Sequence, residues 1–410
     1  MKITVVGIGP GAIEQLTPEG ARVLKEADIV ITSMERTKHL TSLNENIEKM
    51  GVMDTVSYIN ANKDKDMKVA VAASGDTGFY SIASTIKKLS EGADVSFLPG
   101  ISSMTYFFSK IGMSYEKAKL VSAHGRSQSL LPLVCYNEVV FSLTGGKLKA
   151  HDHLKTLVNV GLGHLEAYVG ENLSMSNEKI YSGSVEELEK NSYEDLAVLI
   201  VVNHNYVNRY KTLRDSDFVR GKSPMTKEPL RVLSLGALEI EPDDVVYDIG
   251  AGTGAMTCAM AKEASSSMVY AIEKNPEGCL LVKENMKNLG IHNIEIVEGE
   301  APDKIDEFPA PDKVFIGGST GKAGEIIDIC LQKNPKAVIV VNAIALETIS
   351  NTLTLFKERD LETTVQCANV STAKKLGRYN LMMADNPVYI IKGYKATEKG
   401  GAENEGKDIT

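Results

Sequence analysis

Two glycine-rich turns carry the chemistry-bearing signals of this 410-residue chain: Gly7-Ile8-Gly9-Pro10-Gly11 and Gly250-Ala251-Gly252-Thr253-Gly254. Each follows a short apolar, β-branched run. Such turns let the backbone approach a ligand closely and present peptide N–H groups to it. The second turn is the more informative. Asp248 precedes it, a helical pattern follows it, and Glu273 ends the next apolar run. An acid placed roughly 20 residues beyond the turn accepts hydrogen bonds from the ribose hydroxyls of a bound nucleoside. The spacing is Gly-x-Gly-x-Gly, whereas the dinucleotide fingerprint is Gly-x-Gly-x-x-Gly. A nicotinamide site and a tight turn without ligand are the alternatives. The first turn is ambiguous by itself, because Pro10 removes a backbone donor and fixes its own φ.

These turns need strands to carry them. Residues 3–6, 29–31, 69–72 and 95–98 read as strands, with helical stretches such as 17–27 between them. Thr17 suits an N-cap and Pro18 the first helical position. A second set covers 138–143, 163–169 and 196–202, and a third covers 245–249, 268–273, 294–297, 313–316 and 337–341. The alternation predicts α/β layers with mostly parallel strands. Residues 203–222 are polar and aperiodic, and are expected to include a linker. The Gly, Glu and Lys-rich end, from about 397, is expected to be disordered.

Bulk properties narrow the function. Hydrophobic residues make up 43% and charged residues 24%, as in ordinary globular chains. The net charge of −9 argues against a nucleic-acid partner, whose phosphates are bound by Lys and Arg. Five widely spaced cysteines include no Cys-x-x-Cys, so they read as thiols in a reducing compartment. No metal site is expected; His151 and His153 read as part of a solvated segment. Glycines interrupt the N-terminal apolar run, and no stretch is long enough for a membrane span. The expectation is a cytoplasmic protein with no membrane partner.

The second turn, with Asp248 before it and Glu273 after it, resembles motif I of class I S-adenosylmethionine methyltransferases. Pro224-Met225-Thr226-Lys227, Gly299-Glu300-Ala301-Pro302, Gly317-Gly318-Ser319-Thr320-Gly321 and the run from Val341 to Thr348 follow in order. This set is similar to the decarboxylating precorrin C15-methyltransferase family over about residues 222–394. The resemblance implies donor contacts from Thr226, Gly250, Ala251, Gly252, Thr253, Gly254, Glu273, Glu300 and Ala301. Glu300 stands where the family usually has aspartate. Asn342 and Glu347, with Arg378, are candidates near the substrate. Thr226 also fits a plain helix cap, and Gly317 and Gly318 a tight loop.

In the first half, Ser74-Gly75-Asp76-Thr77-Gly78 and Pro99-Gly100-Ile101-Ser102-Ser103 follow strands, and Gly170-Glu171-Asn172-Leu173 comes later. This series resembles the tetrapyrrole methylases, a fold of two α/β subdomains, over about residues 1–205. Ala123-His124-Gly125-Arg126 matches the precorrin C5-methyltransferase branch. The resemblance implies a donor site using Gly9, Asp76, Thr77, Ser102 and Ser103, with Thr144 nearby. Thr77 replaces the proline common in the family. His124 and Arg126 are candidates to pair with substrate carboxylates, Arg as a bidentate fork; a hydrogen-bonded loop histidine is the alternative for His124.

The order of the halves resembles the fused, decarboxylating C5,15-type precorrin methyltransferases. The expected architecture is a two-subdomain tetrapyrrole methylase fold (1–205), a linker (206–221), a class I Rossmann-like methyltransferase domain (222–396) and a tail (397–410). The resemblance implies one S-adenosyl-L-methionine site per domain, a small-molecule corrin precursor as substrate, and a homo-oligomer on the pattern of homotetrameric free-standing relatives. The competing reading is a class I protein or RNA methyltransferase fused to an unrelated domain.

Overall fold

The computed structural model describes residues 1–33, 37–90, 92–123, 129–318 and 321–396. It divides into two compact units, Met1–His204 and Asn205–Thr410. The candidates His124 and Arg126, and the tail from 397, lie outside the described residues.

The first unit contains two sheets. One is built from β1 (Lys2–Gly7), β2 (Ile29–Thr32), β3 (Ile47–Lys49), β4 (Lys68–Ala73) and β5 (Asp94–Leu98). Its order is β3-β2-β4-β1-β5 and its pairings are all parallel. Parallel sheets are covered on both faces, and their strands are apolar throughout. Here Ile3 and Val5 face one buried cluster while Val6 faces another. Thr17 caps the helix Pro18–Glu26 by accepting from the Gly20 amide at 3.1 Å, as its position predicts.

The second sheet comprises β6 (Ala118–Ser122), β7 (Val139–Leu143), β8 (Glu166–Glu171), β9 (Lys179–Ser184) and β10 (Ala197–Val202), in the order β6-β7-β10-β8-β9. Only β6 and β7 are parallel; the other pairs are antiparallel, so the parallel expectation fails for this layer. The apolar run of β10 is buried along its whole length because it is the central strand. His153 corrects a second expectation. Its helix, Ala150–Asn159, turns it inward, and only 2% of its surface is exposed.

The second unit is a seven-stranded sheet ordered β13-β12-β11-β14-β15-β19-β16. The strands are β11 (Val246–Ile249), β12 (Val269–Glu273), β13 (Ile294–Glu298), β14 (Lys313–Ile316), β15 (Val338–Ala343), β16 (Glu362–Ala368) and β19 (Val388–Tyr394). Between β16 and β19 a separate hairpin is formed by β17 (Ser371–Leu376) and β18 (Tyr379–Ala384). Strands β11 to β15 are parallel, and β19 runs antiparallel to β15 and β16. Residues 206–221, expected as a linker, are fastened to this unit. Val207 and Leu213 pack on its core and Phe218 is buried. Among the described residues no helix is long and apolar enough to cross a membrane.

Burial pushes the His153 imidazole down to about 4, and its Nε2 has no partner among the described residues. That value lies below the 6.5 of a free imidazole. The neutral ring therefore leaves stability intact above pH 6.5, and stability falls as the pH drops toward 4, by on the order of 3 kcal/mol. The melting temperature of His153→Leu should gain on the parent from pH 7 to pH 5. A gap that does not change with pH would contradict this account.

Candidate functional site

The second unit holds a cleft of about 650 Å³ at the carboxyl ends of its parallel strands, where open α/β sheets bind ligands. Strand β11 delivers Asp248 and the glycine loop, β12 delivers Glu273, and the loop after β13 delivers Glu300 and Ala301. Thr226 and Asn342 also line the cleft. Of the residues proposed from sequence, Gly250, Ala251, Gly252 and Thr253 also line this cleft. Gly254 stands behind it as the N-cap of the helix Ala255–Glu263, with φ 77°. Glu347 lies on the exposed first turn of the helix Leu346–Glu358, and Arg378 is on the hairpin turn, stacked on Tyr379; neither lines the cleft.

Gly250 shows why the loop needs glycine. Its φ is +84°, and a Cβ there would lie 2.8 Å from the Gly318 carbonyl oxygen and 3.0 Å from the Gly318 nitrogen. The turns after β11 and β14 thus touch backbone to backbone. Glu273 braces the same loop. One carboxylate oxygen accepts from the Gly252 amide and the other from the Asn275 amide, both at 2.8 Å. Charge-assisted bonds of this type are stronger than neutral ones. Arg231, 2% exposed, anchors the segment that carries Thr226. Its guanidinium donates to Asp215 Oδ1, the Thr226 carbonyl and the Leu213 carbonyl, each at 2.6 Å. The helix Glu228–Leu238 begins after Lys227 without a side-chain cap, so Thr226 does not serve as its cap.

Several contacts at this cleft are not encoded in local sequence. Lys227 is ion-paired with Asp385, joining the loop that carries Thr226 to the residue just after the hairpin. Lys322 pairs with Glu300 at 2.5 Å and holds its carboxyl below the usual carboxylate range. Asn342 donates to Ser234 Oγ at 2.9 Å. Asp248 is the most unusual. Thr257 donates its hydroxyl to Oδ2, while Oδ1 is buried without a partner among the described residues. Burial pushes this carboxyl up to about 7; the Thr257 hydrogen bond opposes the rise and the Glu273 charge adds to it.

The first unit gathers its candidates at the carboxyl edge of β4, β1 and β5. The Gly9 and Gly75 backbones pair with each other, Gly75 N donating at 2.8 Å and Gly9 N at 3.2 Å. Asp76 then bridges two loops, accepting from Gly78 N at 2.8 Å and from Gly100 N at 3.0 Å. Gly100 has no room for a side chain, since a Cβ would sit 2.3 Å from the Gly75 oxygen. Thr77 donates to the Leu98 carbonyl at 3.3 Å. Ser102 is the N-cap of the helix Ser103–Lys110, accepting from Thr105 N at 3.0 Å, and Ser103 opens that helix. Thr144, in the other subdomain, donates to the Ala197 carbonyl at 2.9 Å. A clasp not foreseen from sequence faces the first glycine turn: Ala12 N donates to Ser174 Oγ at 2.9 Å.

The Gly250 contact generates a paired prediction. Gly250→Ala should destabilise the second unit by about 1–3 kcal/mol, from the positive φ and the backbone clash. Gly318→Ala meets nothing within 4 Å and should leave the melting temperature nearly unchanged. Equal effects of the two substitutions would show that this contact does not shape the loop.

Comparison with known proteins matches both units. Residues 2–189 match the tetrapyrrole (corrin/porphyrin) methylase family, and residues 217–395 match the precorrin methyltransferase domain family. A Sinorhizobium protein named precorrin-6Y C(5,15)-methyltransferase [decarboxylating] is 27% identical, over 78% of this chain and 79% of its own. A Methanococcus maripaludis protein is 36% identical, over 44% of this chain and 97% of its own. It is named probable cobalt-precorrin-6B C(15)-methyltransferase (decarboxylating). A solved structure from Geobacter metallireducens, titled precorrin-6Y C5,15-methyltransferase, is 33% identical with a TM-score of 0.43, covering 45% of this chain and 96% of that one. The chain belongs to the precorrin methyltransferases, with a tetrapyrrole methylase unit followed by a unit of the decarboxylating C15 type.

Proposed function

We propose that the chain methylates a precorrin or cobalt-precorrin at C5 and C15 and removes the ring-C acetate carboxyl as carbon dioxide, in cobalamin biosynthesis. The observation that carries the reading is the second-unit cleft, which collects the glycine loop, Glu273, Ala301 and Thr226 on one wall system. Residues about 1–205 would form the C5 unit and about 222–396 the C15 unit, each with its own S-adenosyl-L-methionine site.

The cleft residues suit that donor. In the second unit the glycine loop would leave room for the amino-acid part, Glu273 would offer lone pairs to the ribose hydroxyls, and Glu300 and Ala301 would border the adenine. In the first unit Gly9, Asp76, Thr77, Ser102 and Ser103 would serve the same purpose. There the Asp76 carboxylate and the Ser102 hydroxyl already hold neighbouring backbone amides. They would therefore set loop shape while backbone groups meet the ligand.

The donor supplies an electrophilic sulfonium methyl. The protein has to align it with a nucleophilic ring carbon and exclude water. Met225, Leu230, Met256, Phe315 and Val388 provide apolar wall. Asn342, which lines the cleft and is hydrogen-bonded to Ser234, would orient the substrate. Lys227 and Lys274 line the same cleft and can pair with carboxylates of a polyacidic macrocycle. The electron pair freed by decarboxylation needs a sink, which the conjugated macrocycle offers; no covalent nucleophile is required. His124 and Arg126 remain candidates for carboxylate recognition in the first unit.

Self-association belongs to the same reading. The hairpin of β17 and β18 exposes Leu376, Tyr379, Leu381, Met382 and Met383, an apolar surface suited to a second copy.

Mass spectrometry of precorrin-6B and its cobalt form, incubated with donor and protein, tests the activity. The expected product carries two added methyls and has lost one carbon dioxide. Gly252→Val should abolish the decarboxylating C15 step and spare C5 methylation, and Asp76→Ala should do the reverse. No mass change on either substrate, with donor binding intact, would refute the corrin assignment.

A further inference from the structure

Asp248 has a buried oxygen facing a problem that the folded chain does not solve. The residue is fully buried at the end of β11 and borders the cleft. Its Oδ2 is satisfied by Thr257, but Oδ1 has no donor among the described residues. A buried carboxylate oxygen left unpaired is costly. Protonation relieves that cost, and so does an arriving cation.

Among the described residues no cation is in contact with Asp248. From β12 comes Glu273, a second acid. The helix Ala255–Glu263 brings the Thr257 hydroxyl and the Cys258 thiol, the latter pushed up to about 12 by burial and so uncharged. The helix Glu228–Leu238 brings Arg231, whose charge bears on Cys258 but whose hydrogen bonds go to Asp215 and two carbonyls. The β14 residue in register with Asp248 is Phe315, which is apolar.

We propose that Asp248 holds a proton when the second-unit cleft is free and gives it up to solvent when the cationic methyl donor binds, so that donor binding there is coupled to proton release. This rests on the reading of the cleft as a methyl-donor site. The carboxyl sits near neutrality in the free protein, about 7, so a modest change in local charge moves its proton. A sulfonium in a low-dielectric cleft favours the carboxylate. Methyl transfer leaves a neutral thioether, and Asp248 then regains a proton more readily. The site therefore favours donor over spent product more strongly as the pH rises through 7.

Calorimetric titration of the full chain with S-adenosylmethionine, in buffers of different ionisation heat, tests this. The second-unit phase is the binding that Gly252→Val removes. At pH 7 this phase should release about half a proton per donor bound. Relative to Asp248→Asn, affinity should rise about eightfold from pH 6 to pH 7.5. Asp248→Asn should bind with no proton release in this phase. Heats of this phase that do not vary with buffer in the parent protein would overturn the proposal, as would equal release from Asp248→Asn. The parent series alone decides if that variant fails to fold. If Gly252→Val removes no binding, the donor-site reading itself fails, and the proposal with it.

Discussion

Backbone-to-backbone contact at the carboxyl ends of parallel strands sets the geometry of both units. In the first, the turns after β1, β4 and β5 meet through Gly7, Gly75 and Gly100, with no space for a Cβ at Gly7 or Gly100. In the second, the turns after β11 and β14 meet through Gly250 and Gly318. Any side chain at Gly100 or Gly250 would push the neighbouring turn away and open the crevice that the strands create. The candidate sites follow from this constraint, because only turns held this close can converge on one small ligand.

Carboxylates complete the arrangement by cross-linking the turns. Asp76 joins the turn after β4 to the turn after β5, and Glu273 ties the glycine loop to the start of the next helix. Each uses both oxygens on backbone amides, so each acid has a structural task beside any ligand contact. Asp248 differs from both. It is fully buried, and only one of its two oxygens has a partner among the described residues. One glycine loop is thus flanked by Glu273, bonded through both oxygens, and by Asp248, whose carboxyl burial pushes up.

Much of this was legible in the sequence, for identifiable reasons. The spacing from Asp248 through Gly254 to Glu273 is a local pattern, and the parallel strands around it are continuous apolar runs. The antiparallel pairing of the second sheet was not legible, since its strand β9 lacks a strong apolar signal, and the exposed β17 and β18 of the second unit escaped for the same reason. Residues 206–221 read as polar, yet Val207, Leu213 and Phe218 are enough to fasten them to the core. His153 looked solvated because its polarity, not the inward face of its helix, dominates the local pattern. The unpaired oxygen of Asp248 depends on what Thr257 and β12 supply from elsewhere, which no local spacing encodes. Glu347 matched a family segment, but the turn of its helix directs it to solvent.

Under the proposed function, each junction of turns would hold its own methyl donor, so that one chain would carry two donor sites. Equilibrium dialysis with S-adenosylhomocysteine measures this directly. The account predicts two molecules bound per chain, falling to one in Gly252→Val. A single molecule per chain in the parent protein, or two still bound in Gly252→Val, would contradict it.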